Sequence, residues 1–433
     1  MSNSPHPAPI DADIAVVGAG LIGVSSALAL ARQGHRVVVL DTQEPGRGAS
    51  YGNAGHLATE QVFPIADTSI LKSLPGMLMD PMGPLRLDWK YLPRALPWLT
   101  RLMLNLRSTP FAQSVAGIGA LNALSLAAWQ RLLASVNGAH LLKADGSLLV
   151  YEKSESRHKL EALESRMCHE KVPVERWERE AIQQEAPQLS TALLGGLFFP
   201  GTGHVLDPSW IIQTLVDAAQ GQGVRFSQET VGSAQVTETG VRLVTNRREL
   251  TASRVLLACG AHSAALTAQL TGKRVPLDTE RGYHLMLPRE HDSLPFAVTS
   301  LERRFIMTPM ATGLRLAGTV EFAGLNAPPN MARAWQLHRL SHGLFKRDLD
   351  AEGATPWMGF RPSLPDSLPI IDRVEKGRVL LAFGHHHLGL TQAAITAEII
   401  ATLAGTEGSS PLDTAMKRPG LPPLEPYRLA RFG

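Results

Sequence analysis

Six residues, Gly18-Ala19-Gly20-Leu21-Ile22-Gly23, stand between a short apolar segment at 14–17 and an Ala- and Leu-rich segment at 24–33. The first segment reads as a strand and the second as a helix. A further apolar segment, 37–40, ends on Asp41, twenty-one residues after Gly20. Strand, glycine turn, helix, strand and terminal acid in that order are what a dinucleotide site requires. Gly18 permits the tight turn, Gly20 removes a side chain that would block a pyrophosphate, and Gly23 lets the helix lie close to the strands. Ala19, Leu21 and Ile22 share the turn, whose phosphates would sit at the positive end of the helix dipole. Asp41, followed by Thr42, can accept both hydroxyls of the adenosine ribose and repels an extra phosphate there.

At 433 residues and 44% hydrophobic content the chain can build two or three domains with buried cores, which excludes disorder as its main state. Its 42 basic and 39 acidic residues give +3, with no long Lys or Arg run, which speaks against a nucleic-acid surface. Cys168 and Cys259 are the only cysteines, so there is no disulfide framework and no Cys-rich metal or iron-sulfur site; the expectation is an intracellular chain. Residues 14–31 carry no charge and reach the length of a signal peptide or membrane span. The preceding residues hold Asp11 and Asp13 but no Lys or Arg, the wrong sign for a signal sequence, and three glycines break the run.

The segment Gly48-Ala49-Ser50-Tyr51-Gly52-Asn53-Ala54-Gly55-His56-Leu57 resembles the Ser-x-x-Asn-Ala-Gly stretch of FAD-dependent D-amino acid dehydrogenases, within the D-amino-acid-oxidase-like flavoprotein family. The resemblance implies an α/β Rossmann-like FAD-binding domain built from discontinuous segments, with an α+β substrate domain around an antiparallel sheet. The expected division is a flexible tail at 1–12, FAD-binding segments at 13–67, 205–275 and 356–433, and substrate-binding segments at 68–204 and 276–355. In that fold Ser50 bonds a phosphate, and Asn53, Ala54, Gly55, His56 and Leu57 line the isoalloxazine. Small residues with exposed amides suit a backbone lying on a ring edge.

The resemblance recurs far along the chain. His204-Val205-Leu206-Asp207-Pro208 leads into a helix at 209–220, a strand-like 224–226 and Val231, the unit that returns to the dinucleotide domain. A segment from 254 reads as a buried strand running into Cys259 and Gly260, similar to the family's strand that passes near the FAD pyrophosphate; Cys259 reads as a small core residue, not a nucleophile. Alternating segments 305–308 and 314–321 form a hairpin across Gly313, similar to the family's Gly-Thr-x-Glu hairpin. Residues 405–411 and 419–426 read as terminal loops. Residues 85–107 combine Trp89, Tyr91, Trp98 and Met103 with Arg86, Lys90, Arg94, Arg101 and Arg107. Two readings fit: an amphipathic membrane-surface stretch, or a substrate-domain helix with its apolar face in the core, interrupted by Pro93 and Pro97.

Met358-Gly359-Phe360-Arg361-Pro362-Ser363-Leu364-Pro365-Asp366 resembles the family's Gly-x-Arg-Pro-x-x-Pro-Asp signature, in which the arginine grips the substrate carboxylate. A planar two-pronged guanidinium beside rigid prolines suits that role. Glu280-Arg281-Gly282-Tyr283-His284 matches the family's Gly-Tyr segment, where the phenol adds a second bond to the carboxylate. Phe383-Gly384-His385-His386-His387-Leu388-Gly389-Leu390-Thr391 ends a strand and leads to a helix at 392–403, whose start would point amides at the flavin pyrimidine. His386 departs from the family's usual glycine. Adjacent histidines project in different directions with no supporting acid or Cys nearby, so no metal is expected.

The implied reaction passes hydride from the substrate α-carbon to flavin N5, and the imino acid hydrolyses to a 2-oxo acid and ammonia. Arg361 and Tyr283 hold the carboxylate, His56 and His385 line the pocket, and catalysis is chiefly orientation. If the amine needs deprotonation, His56 or His284 is the candidate base. No Cys lies at 358–366, where related sarcosine oxidases attach flavin, so the FAD is expected to be noncovalent. The leading expectation is a D-amino acid dehydrogenase passing electrons to a quinone or other acceptor, cytoplasmic or peripheral on the inner membrane face through 85–107. The rivals are an oxygen-using glycine, sarcosine or other secondary-amine oxidase on the same scaffold, and a flavin-binding subunit inactive alone.

Overall fold

The computed structural model describes residues 10–64, 67, 82–83, 85–291, 293–405 and 420–433. Most of the expected tail, residues 68–81 of the expected substrate segment and most of the terminal loop after 405 lie outside them. The strand Ala12–Val17 is buried and runs parallel to both Val37–Asp41 and Glu249–Leu257. It starts two residues before the expected 14, because the Asp11 amide donates to Thr251 O and the Thr251 amide donates to the Asp11 carboxylate, each at 2.9 Å. Ala12 therefore belongs to the sheet and not to the tail.

Around that strand, the described residues form an eight-stranded sheet drawn from three chain segments, completed by Val379–Phe383 parallel to Glu249–Leu257 and by Ile370–Val374 beside it. The helix Leu21–Arg32 begins directly after Gly20, three residues ahead of the expected 24, since Gly18 to Gly20 complete the turn. Its apolar face shares one core with Ser108–Ala134 and Gly389–Ala404. Ser108–Ala134 lies within the expected substrate segment 68–204, yet Ile118, Leu121, Ala128, Trp129 and Leu133 are buried in this core. The Trp129 indole N–H donates to Leu390 O at 2.8 Å. Length and apolarity alone would let this helix cross a membrane; its buried face explains the same apolarity as core.

A nine-stranded sheet carries the second core. Phe305–Met310 and Gly313–Phe322 pair antiparallel as a hairpin. Asp278–Leu287 pairs antiparallel with Gly313–Phe322 on one side and Thr355–Ser363 on the other. Thr355–Ser363 therefore belongs to this sheet, which corrects the expected boundary at 356: unbroken pairing from Asp278↔Ser363 to Met286↔Thr355 makes it a sheet strand. The helix Leu92–Asn105 runs through Pro97, which was expected to interrupt it, and Pro93 occupies its first turn, where no backbone N–H is needed.

A Cβ on Gly23 would lie 1.9 Å from the carbonyl oxygen of Gly18, a contact between backbone and side chain that no rotamer relieves. Gly23→Ala is expected to cost roughly 1–3 kcal/mol or more in the apoprotein. Chemical denaturation without added cofactor checks it; an unchanged midpoint would contradict the packing described.

Candidate active site

Gly18 has φ +108, and a Cβ there would stand 2.4 Å from Ala258 O, so the turn after the first strand needs glycine. A Cβ on Gly20 would meet only the Ser50 hydroxyl, at 3.1 Å, and one on Gly48 or Gly260 would meet nothing within 4 Å. This bare backbone at a helix N-terminus fits a dinucleotide pyrophosphate. Asp41 Oδ2 accepts from the Ala19 amide at 2.6 Å, while Oδ1 accepts from the Gln43 amide at 3.0 Å and the Thr42 hydroxyl at 3.3 Å. The carboxylate thus braces the turn and keeps lone pairs for a ribose. The chain passes it again where the Glu229 amide donates to Asp41 O at 2.8 Å, two residues before the half-buried Val231. The Cys259 thiol donates to Val17 O at 3.1 Å, and burial, then the Asp41 charge, pushes it up to about 12, a poor nucleophile.

Ser50 Oγ accepts from the Leu21 amide at 3.0 Å, so the loop starts at the helix N-terminus. Asn53 Oδ1 accepts from the Gly55 amide, and His56–Leu57 pairs with Gly203–Val205. His56 donates from Nδ1 to Gly203 O and from Nε2 to Glu60 Oε1, both at 3.0 Å. Burial works against a proton there, but the Glu60 carboxylate outweighs it and raises the His56 pKa. The Ala58 amide then donates to Thr391 Oγ, fastening the loop to the C-terminal turn.

On the second sheet Arg361 stands directly opposite Glu280, and its guanidinium lies over Gly282, where a Cβ would be 2.4 Å from Nη2. Its hydrogen bond is a long one, 3.4 Å, to Thr319 O. Alternation along Asp278–Leu287 puts Glu280, Gly282 and His284 on this face and Tyr283 on the other. Tyr283 donates to Glu321 Oε2 at 2.6 Å and accepts from the Asn330 amide at 3.1 Å. Its expected bond to the substrate carboxylate beside Arg361 is therefore not what the structure supports. Burial and Glu321 push the phenol up to about 12. His284 stacks on Trp357, centroids 5.1 Å apart, and Trp357 fills the space a Cβ on Gly52 would need.

The turn after Val379–Phe383 uses Gly384 at φ +85, where a Cβ would meet Leu364 Cδ1 at 2.4 Å. The helix begins at Gly389, not at the expected 392, because a tight turn at His386–Leu388 winds straight into it. His386 has φ +52, the left-handed region, and its buried imidazole holds it there. The Leu364 amide donates to Nε2 at 3.0 Å, so the ring proton sits on Nδ1, 3.1 Å from Ser363 Oγ, which donates to Glu280 Oε1 at 2.5 Å. Burial favours protonated Glu280, but His386, Ser363 and the Arg361 charge outweigh it and lower its pKa. His385 Nε2 is 3.0 Å from Thr396 Oγ. Burial pushes His385, His387 and His284 each down to about 3, with the Arg361 charge reinforcing it at His387 and the Arg315 charge at His284, so all three are neutral and weakly basic. Glu280, Ser363, Trp357 and Glu60 were not singled out in the sequence; only the four-residue spacing of Glu60 from His56 hinted at a pair. Among the described residues no cluster of metal-ligating side chains occurs.

Residues 13–403 match the family described as FAD dependent oxidoreductase, DAO. The chain is 34% identical over 431 residues to a D-amino-acid oxidase of Bradyrhizobium diazoefficiens, covering 97% of this chain and 98% of that protein. It is 29% identical over 412 residues to a D-amino acid dehydrogenase of Paramagnetospirillum magneticum, covering 92% and 96%. The crystal structure of glycine oxidase from Geobacillus kaustophilus aligns with a TM-score of 0.73 at 20% identity, covering 97% and 98%, a likeness of fold.

The His56–Glu60 pair carries a pH signature. A histidine whose folded pKa is raised contributes stability that is full below its ordinary value near 6.5 and is lost as pH rises through the folded value. Glu60→Gln is expected to cost roughly 1–3 kcal/mol near pH 6 and progressively less at alkaline pH. Melting temperatures of both proteins across pH 5.5–9 check it; a gap that widens with pH would contradict the pairing.

Proposed function

The chain belongs to the DAO family of FAD dependent oxidoreductases, so FAD is its cofactor, and on that premise we propose that it oxidises D-amino acids to imino acids. The carrying observation is Arg361, a half-buried guanidinium over the bare backbone of Gly282 whose hydrogen bond among the described residues is a long one. Such a fork binds a carboxylate in two-point register. Gly18, Gly20, Ser50 and Asp41 would hold the pyrophosphate and ribose of FAD, and the 53–57 backbone its ring. When bound, FAD supplies the two-electron acceptor for the hydride leaving the α-carbon. The relatives named D-amino-acid oxidase and D-amino acid dehydrogenase support the substrate class and the D configuration.

The site histidines support binding of the free amine. His56 Nε2 is occupied by Glu60, while His284, His385 and His387 are too weakly basic to take a proton at neutral pH. Arg361 would orient the carboxylate. A second reading, use of oxygen as acceptor, is favoured by the 34% likeness to an oxidase. Release of peroxide in air would carry it.

For the acceptor we favour a membrane quinone reached at a lipid surface. Leu92–Asn105 packs Ala95 and Trp98, with Leu92, Leu99 and Leu102 beside them, against Leu87 and Phe322, and the Trp98 indole donates to Ser363 O at 3.1 Å, while Trp89, Leu96, Met103 and Leu104 are exposed among Lys90, Arg94, Arg101 and Arg107. An apolar strip set among cations suits an anionic lipid surface.

Arg361→Met is expected to raise KM on the order of 30- to 1,000-fold, the loss of a charged hydrogen-bonding partner, with the flavin spectrum kept. In the native enzyme kcat/KM should climb with pH along the ionisation of the substrate amine. An unchanged KM would overturn the assignment of Arg361. For the membrane contact, full-length protein is expected to float with anionic vesicles and not zwitterionic ones, and paired Met103→Asp and Leu104→Asp changes to abolish flotation; no flotation of the native chain would contradict it.

A further inference from the structure

Arg315, on the Gly313–Phe322 strand, is 5% exposed. Its hydrogen bonds go to backbone alone: Nη1 donates to Asn53 O at 2.6 Å and to Tyr51 O at 3.4 Å. Its buried Nε meets no partner among the described residues. The acid whose charge acts on it, Asp207, is engaged elsewhere, accepting from the Ser209 amide at 2.7 Å and hydroxyl at 2.5 Å and from the Thr312 hydroxyl at 3.3 Å. Burial lowers the Arg315 pKa to about 10, which leaves it cationic at neutral pH. Thr308, its cross-strand partner, also buries a hydroxyl with no partner.

A buried cation without a bonded counter-ion is costly, and its persistence asks for a reason. The reason lies in what Arg315 touches. His284 Nδ1 donates to Gly52 O at 3.0 Å, so three successive carbonyls, of Tyr51, Gly52 and Asn53, are all drawn toward the substrate sheet by two side chains. In trans peptides the N–H points opposite to its carbonyl, so the amides of Gly52 and Ala54 are turned away from the sheet. The loop is stitched across the two sheets by side chains that play no part in the carboxylate grip.

We propose that Arg315 is a positioning residue for the flavin: it fastens the 51–53 backbone to the substrate sheet and supplies a buried positive charge to that side of the cofactor. The inference rests on the reading that residues 53–57 line the flavin ring. A cation near the ring favours the negative charge gained on reduction, so it raises the reduction potential, and the fastened loop tightens FAD binding.

The test uses full-length Arg315→Met and Arg315→Lys proteins. FAD affinity is read by titrating the apoprotein, and the midpoint potential by anaerobic reduction against a reference dye. Arg315→Met should weaken FAD binding on the order of tenfold, the loss of a charge-assisted bond, and lower the potential. Arg315→Lys should keep the potential and still weaken FAD binding, because an ammonium cannot bridge two carbonyls as the fork does. If Met does not fold, Lys decides alone: native FAD affinity overturns the proposal. A rise in substrate KM with FAD affinity and potential unchanged would overturn it too, reassigning Arg315 to the substrate. Gly20→Val separates the underlying reading: FAD bound at native affinity there would mean that the cofactor lies elsewhere, whatever Arg315 does.

Discussion

The site depends on the pairing of Asp278–Leu287 with Thr355–Ser363. Those strands lie far apart in the chain, and their register sets Arg361 opposite Glu280 and Trp357 opposite His284. Because side chains alternate, the same register directs Arg361 toward the face where His284 meets the 51–53 loop and Tyr283 away from it. A slip of one residue would bury Arg361 on the wrong face. Bare backbone then makes room: Gly282 lies under the guanidinium, while Gly52 and Gly359 lie against the Trp357 ring. The proposed carboxylate-binding arginine and the loop proposed to line the cofactor are thereby brought to one surface from opposite sheets.

Charge is managed in the same place with few solvent contacts. Arg361 is faced by Glu280, and Glu280 is kept ionised by a chain through Ser363 to His386, itself closed by the Leu364 amide. Every polar partner in that chain is satisfied, which is what makes a buried polar network tolerable. It also accounts for a histidine where the resemblance leads one to expect glycine: the imidazole's two hydrogen bonds offset a left-handed backbone. The neighbouring histidines divide by partner: the Glu60 carboxylate raises the His56 pKa, and burial lowers those of His284, His385 and His387.

Local chemistry was legible in the sequence and long-range pairing was not. The glycine turn could be read from its spacing within one βαβ unit, where Gly23 answers Gly18, although Gly18 itself answers Ala258 far along the chain. Asp41 was legible from its spacing, and so was the hairpin about Gly313 from alternation. Tyr283 was misread because a motif gives neighbours in sequence, whereas the face of a strand is set by partners that the motif does not name. The boundary near 356 failed for the same reason, since Arg361 sits on a substrate-sheet strand while the chain soon returns to the cofactor sheet. Ser108–Ala134 gave no motif, and only packing assigned it to the cofactor core. Arg315 was passed over because a lone arginine in a strand looks like a surface residue until its burial is known.

The central claim is that this arrangement takes a hydride from the α-carbon of a D-amino acid held by its carboxylate. The most direct test is the visible spectrum of the anaerobic holoenzyme before and after D-alanine, D-proline and D-arginine, and their L-enantiomers. The account predicts that D-compounds bleach the flavin band and L-compounds leave it unchanged. Bleaching by L-enantiomers alone, or by no amino acid while dithionite reduces the same flavin, would contradict it.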